Sequence, residues 1–166
     1  MRSNISNIIK KRRSIRSYLP TPITEQELYE ILSAGLYAPS GKNRQPWRFV
    51  IVKDKEKISR ISKTTTYSRF IRNAPILVLV YAILSTEYPN EKDMLGVGAC
   101  VQNILLAATE KGYGTCVIGE LYSAELDILG IRHNDYKLIC GISIGESDIK
   151  GDNFTAKELD DFLILV

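Results

Sequence analysis

The stretch "DMLGVGACVQNILLAATEKG", residues 93–112, constrains the fold more than any other. It has the composition of one long helix, apolar nearly all the way round, so it offers no broad face to water. Gly112 suits the C′ position that ends such a helix. Gly96, Gly98 and Ala99 thin one side, where another backbone can approach closely. A helix of this kind must lie under a sheet or form a subunit interface.

The flanking sequence supplies the sheet. "PWRFVIVKD" reads as a strand over Trp47–Val52, rich in aromatic and β-branched residues. "APILVLVYAIL" is a continuous apolar run suited to a sheet buried on both faces. "GTCVIGEL", ending in Gly119, and "YKLICGISIG" complete about four strands. Helices are expected between them. One has Ile5, Ile8 and Ile9 on one face behind Ser3 or Asn4. Another opens on the capping box Thr24/Glu27 and carries the stripe Leu28, Ile31, Leu32 and Leu36, with Pro39-Ser40-Gly41 after it. "DKEKISRISK" suits a short basic helix or turn. "SAELDILG" suits a short capped helix, and "TAKELDDFLILV" suits a terminal helix behind a second capping box, Thr155/Glu158. The order of elements predicts a layered α+β or α/β domain, and 166 residues suit one domain, 1–166.

Several function classes drop out. No stretch approaches the roughly 18 apolar residues needed to span a bilayer. The polar N-terminus carries no signal-peptide core, so a cytoplasmic location is expected. Cys100, Cys116 and Cys140 are widely spaced in apolar stretches, as buried free thiols would be. His133 is the only histidine and sits in a polar turn, which excludes a Ser-His-Asp triad and a multi-His metal site. There is no Walker A, G-x-G-x-x-G or G-x-S-x-G element. "GVGAC" at 96–100 lacks a third glycine and a preceding strand, so helix packing explains it better.

Charge is unevenly distributed. Residues 1–72 hold 16 of the 22 Lys/Arg and 5 of the 19 acids, and the remainder of the chain is net acidic. The run "KKRRSIRSY" concentrates this charge. In an extended stretch alternate side chains point the same way, so Arg12, Ser14 and Arg16 can converge. Guanidinium groups grip phosphate through charge-assisted, bidentate bonds. The run lacks aromatic interleaving and any nucleic-acid reading motif, which favours a socket for one phosphate over a groove for many. The chain also has a donor-rich turn, "APSGKNRQPW", in which Asn43 and Gln45 supply amides, and a glycine-bounded strand, "GYGTCVIGEL". Such an inventory, without acid–base pairs, suits chemistry performed by a cofactor. Trp47 reads as a core residue.

"RRSIRSY", "APSGKNRQPWRFV", "QNILLAATEKGYGTCVIGE" and "GISIGE" follow one another at distances that resemble the FMN-dependent nitroreductase family, over residues 5–147. The resemblance implies an α+β fold of three layers, with a central mixed β-sheet flanked by helices and the long apolar helix at a homodimer interface. It implies that Arg12, Arg13, Ser14 and Arg16 hold the FMN phosphate, ribityl chain and pyrimidine edge. It implies that Pro39, Ser40, Asn43 and Gln45 touch the flavin bound mainly by the other subunit. Cys116, Val117, Ile118 and Gly119 would bring backbone N–H groups to the ring near N5. The implied activity is that of an NAD(P)H oxidoreductase, with hydride transfer to the flavin and then ping-pong reduction of a nitroaromatic, quinone or similar flat acceptor. No nucleic-acid or membrane partner, catalytic side chain or metal is expected.

Two departures stand out. The tail offers only Lys150 and Lys157 where many family members have a basic residue meeting the phosphate. "LSTEYPNEKD" is too short for the helical excursion that often covers the substrate. Both features also suit a protein of the same fold that stores or senses flavin with little turnover.

Overall fold

The computed structural model describes residues 4–83, 87–121, 136–151 and 154–164. Four strands, β1 (Trp47–Val52), β2 (Ile76–Ile83), β3 (Gly114–Ile118) and β4 (Tyr136–Gly145), form one sheet in the order β1-β2-β4-β3. All three pairings are antiparallel. Among the described residues the parallel component of the sheet is a single bridge outside the named strands, Ser14 beside Thr115.

Side-chain alternation along β2 explains its unbroken apolar run. Ile76, Val78, Val80 and Ala82 enter one core with α2 (Glu25–Gly35) and α5 (Asn90–Glu110). Leu77, Leu79 and Tyr81 enter a second core with Ile58 and Ile61 of α3 (Lys55–Ser62) and Phe70 and Ile71 of α4 (Ser68–Asn73). The fold is therefore α+β in three layers, with helices on both faces of the sheet. Ile31, Ile104, Ile142 and Ile144 are completely buried in the first core, each stabilising the fold by about 2–3 kcal/mol through removal from water.

Helix α5 lies under the sheet. Val97, Cys100, Val101, Ile104, Leu105 and Ala108 face inward, while Leu95 remains 77% exposed. The helix stops at Lys111, and Gly112 follows with φ +86°, the left-handed turn that a C′ glycine accepts without strain. Helix α1 (Ile5–Lys11) is capped by the Asn4 side chain, which accepts the Ser6 N–H at 3.0 Å. The Thr24/Glu27 capping box is fully formed at the head of α2.

One expectation needs correction, and one element was not foreseen. No helix begins at Thr155: residues 154–158 are exposed and non-helical, and only a short 3-10 turn follows at Leu159–Phe162. Phe154, Leu159, Phe162 and Ile164 are all at least 66% exposed, so no apolar contact offsets the cost of nucleating an isolated helix. Conversely, α4 has no sequence signature. Its first turn lacks a side-chain cap, and the burial of Phe70 and Ile71 against α3 holds it in place. The helix expected at "SAELDILG" and His133 lie outside the described residues.

Candidate active site

The basic run forms a strap along the edge of the sheet. At the end of α1 the Arg12 N–H bonds the Ile8 carbonyl, and the chain then becomes extended. The Ile15 N–H donates to the Thr115 carbonyl at 2.8 Å, and the Leu19 N–H to the Glu146 carbonyl at 2.9 Å. These bonds hold the strap against β3 and the end of β4.

Alternation divides the charges on the strap. Arg12, Ser14 and Arg16 act together on the buried Cys116 thiol of β3. Burial pushes that thiol up. The Arg16 charge, hydrogen bonds from Ser14 and Arg16, and the Arg12 charge all pull it down, and burial prevails. The thiol therefore stays protonated, with the Arg16 and Arg12 charges acting on it. Arg13 and Ile15 instead line a cleft of about 470 Å³ with Lys11, Thr109, Ser147 and Lys150. The Arg13 guanidinium donates to the Lys10 and Arg12 carbonyls, both at 2.8 Å, and lies over the Phe154 ring. Arg13 thus stands apart from the other three strap residues, and Lys150 joins it on that side.

Beyond Cys116 the strand opens. Val117 is exposed while Ile118 is buried. A side chain built at Gly119 would meet nothing within 4 Å. The end of β3 therefore presents uncovered backbone within a few residues of the arginine group.

The turn at 39–45 is built differently. Lys42, Asn43 and Gln45 have φ of 51°, 53° and 48°, so three residues other than glycine occupy the left-handed region. Each such residue costs on the order of 1 kcal/mol and persists only where its surroundings hold it. The Ser40 hydroxyl accepts the Gln45 N–H at 3.0 Å, and the Gln45 side-chain amide donates to the side-chain Oδ1 of Asn43 at 3.1 Å. Arg44 lies 3.4 Å from the completely buried Asp93 carboxylate and stacks over Tyr88. That pair is a charge contact without hydrogen-bond alignment. A Cβ on Gly96 would come 3.2 Å from the Pro39 carbonyl oxygen and 3.3 Å from the Ser40 Cβ. The absent side chain there lets the turn sit against α5.

Within one chain the strap and the turn do not meet. The turn leads into β1 and the strap runs beside β3, at opposite edges of the sheet. It touches α5 at Gly96, whereas the strap cleft reaches α5 at Thr109. Thirteen residues of helix separate these points by about 20 Å. Cys116 through Gly119 thus share a region with Arg12, Ser14 and Arg16, while Pro39, Ser40, Asn43 and Gln45 form a second region. Trp47 is a core residue, 3% exposed. Sequence reasoning passed over Asp93, which looks like an ordinary acidic residue in the first turn of a helix. It also passed over Tyr18, although Tyr18 closes the "RRSIRSY" segment. Among the described residues no cluster of three or more His, Cys, Asp or Glu could hold a metal ion, and no helix is long and apolar enough to cross a membrane.

A three-layer α+β chain with a cationic strap on one sheet edge and a strained amide-rich turn on the other defines a recognisable class. The sequence model of the nitroreductase family matches residues 9–66 and 62–146, and the chain belongs to that family. A protein of Archaeoglobus fulgidus named NADH dehydrogenase/NAD(P)H nitroreductase is 35% identical over 76% of both chains. An NADPH-flavin oxidoreductase of Vibrio harveyi is 30% identical over 88% of this chain and 67% of its own length. A nitroreductase of Desulfovibrio desulfuricans, crystallised with FMN, superposes with a TM-score of 0.92 at 29% identity, covering 100% of this chain and 98% of that one.

Proposed function

We propose that this chain is an FMN-dependent NAD(P)H oxidoreductase, acting as a homodimer of single-domain subunits in the cytoplasm. The observation that carries the reading is the convergence of Arg12, Ser14 and Arg16 beside the open end of β3. A monophosphate needs clustered charge-assisted donors, and a flat ring needs a surface without side chains; this edge supplies both. When bound, FMN would supply the redox chemistry, that of ping-pong hydride exchange between NAD(P)H and a flat acceptor such as a nitroaromatic or a quinone.

The chain's own contribution is to bind and orient. Arg12, Ser14 and Arg16 would hold the phosphate, the ribityl chain and the pyrimidine edge. Their positive charge would favour the anionic form of the reduced ring. Arg13 and Lys150, on the other face of the strap, would add longer-range attraction. Backbone groups from Cys116 to Gly119 would face the ring, and no titrating side chain is required there.

The second half of the site would come from a second copy. Pro39, Ser40, Asn43 and Gln45 lie about 20 Å along α5 from the strap cleft, so the two regions can serve one flavin only if two chains meet. The exposed apolar side chains Leu36 and Tyr37, just after α2, and Leu95 on α5 favour such an association.

The test is reconstitution with FMN followed by anaerobic NADH or NADPH. Uptake of stoichiometric FMN and bleaching of its visible band by either nucleotide is expected. Failure to take up FMN would overturn the reading. Uptake without bleaching by either nucleotide would leave a flavin store or sensor of the same fold.

A further inference from the structure

The strap must hold Ser14 and Arg16 in register, and its backbone bonds leave the Ile15 carbonyl between them to be accounted for. The Tyr18 hydroxyl lies 2.6 Å from that carbonyl and 2.6 Å from the Ser143 hydroxyl on β4. A carbonyl oxygen only accepts, so the one proton of the phenol goes to Ile15. The Ser143 hydroxyl must then donate to the Tyr18 oxygen, because that oxygen has no second proton to give. The order of donation is Ser143 to Tyr18 to Ile15. The Cys116 carbonyl, 3.4 Å from Ser143 Oγ, is a weaker alternative acceptor for the serine.

Both ends of this relay are fixed. Ser143 is completely buried on a strand paired on both sides. The ring of Tyr18 sits over Gly145, where a Cβ would come 2.8 Å from its Cδ1. Burial pushes the phenol's pKa well above its ordinary value, so it remains protonated and a donor.

We propose that Tyr18 is a positioning residue for phosphate recognition: through its hydroxyl it pins the Ile15 carbonyl to β4 and so aims the flanking Ser14 and Arg16 at the phosphate-bearing end of the flavin. The proposal rests on the functional reading above. It goes beyond that reading by assigning the geometry of the strap to one hydroxyl that touches neither ring nor phosphate.

The experiment compares wild-type protein with Tyr18→Phe and Ser143→Ala, titrating each apoprotein with FMN and with riboflavin, which differ only in the phosphate. Losing one buried hydrogen bond that is delivered to a binding group corresponds to about a tenfold loss of affinity. Tyr18→Phe is expected to weaken FMN about tenfold and riboflavin less than twofold, so the preference for FMN falls. Ser143→Ala should reproduce part of that fall, and the double variant should be no worse than Tyr18→Phe, because the two side chains act in series. Equal weakening of both flavins, or an unchanged preference, would overturn the proposal and leave Tyr18 a packing residue. Should Tyr18→Phe fail to fold, Ser143→Ala decides the question by the same ratio. Wild-type protein that binds neither flavin would overturn the functional reading and this inference with it. A wild type that prefers FMN, with variants that keep the full preference, would overturn only the inference.

Discussion

The strap at residues 12–18 and the turn at residues 39–45 solve the same problem, presenting polar groups at a chosen place, by opposite means. The strap is extended backbone bonded to the edge of the sheet, without left-handed residues, and its charges converge because alternation makes them. The turn places three residues other than glycine at positive φ and is held by side chains and by a buried carboxylate. The strap's extended course would survive loss of any one contact, since the sheet templates it, and only the aim of its side chains would change. The turn would not, because its conformation is unfavourable in isolation.

The largest expected effect bears on the strap's function. Replacing both Arg12 and Arg16 by alanine should weaken FMN by about a hundredfold or more, two charge-assisted contacts being worth about 3 kcal/mol together. Thermal unfolding of the apoprotein should shift little. Titration by flavin fluorescence checks the first expectation and calorimetry the second. A large loss of apoprotein stability would erase the contrast with the turn.

The next effect bears on the turn's stability. Arg44→Ala leaves the Asp93 carboxylate buried without its charge partner and should cost about 3 kcal/mol. Asp93→Asn should cost less, since it removes the buried charge while keeping the volume. Urea denaturation midpoints for the two variants give the comparison. A loss for Asp93→Asn as large as that for Arg44→Ala would mean that a stranded buried charge is not what makes the arginine variant costly.

Alkaline pH should weaken the whole fold. Burial pushes the Cys100 and Cys140 thiols up to about 12 and raises Cys116 too. Each thiol ionises first in the unfolded chain, which therefore binds fewer protons above about pH 9. Stability from these groups is complete below that pH and falls as pH rises toward 12, by at most about 1.4 kcal/mol per pH unit for each thiol. Denaturation midpoints between pH 8 and 11 measure the slope, and replacing Cys140 by alanine should flatten it.

The smallest effect separates two glycines on α5. Gly98→Ala meets nothing within 4 Å and should stabilise the isolated chain by about 0.5–1 kcal/mol through helix propensity. Gly96→Ala gains the same propensity but presses on Pro39 and Ser40, so its net gain should be smaller. A loss at Gly98 in the assembled protein, measured against protein concentration, would reveal a second copy packed on that face.

Much of the fold was legible in the residues themselves. The bounds of β1, the capping box of α2 and the glycine stop after α5 follow from local rules, because each depends on neighbours within a few positions in sequence. The strap could be read for the same reason: alternation is a property of any extended segment, and basic residues at 12 and 16 with a serine at 14 need no tertiary information to share a side. Helix α4 could not be read, since its stability lies in Phe70 and Ile71 meeting α3 and not in its own composition. The absent helix after Thr155 shows the converse. A capping box supplies a start, but a short helix without a buried face has nothing to sustain it.

The amino-acid order by itself determined which segments are strands, where the long helix ends, and that basic residues at 12 and 16 share one side of an extended segment. Tertiary structure alone decided that Arg13 leaves its neighbours for another face, that Asp93 is sealed beneath a strained turn, and that Tyr18 reaches across to Ser143. Each of those outcomes joins groups far apart in the chain, and the energy of such contacts depends on burial and distance, which no local pattern encodes.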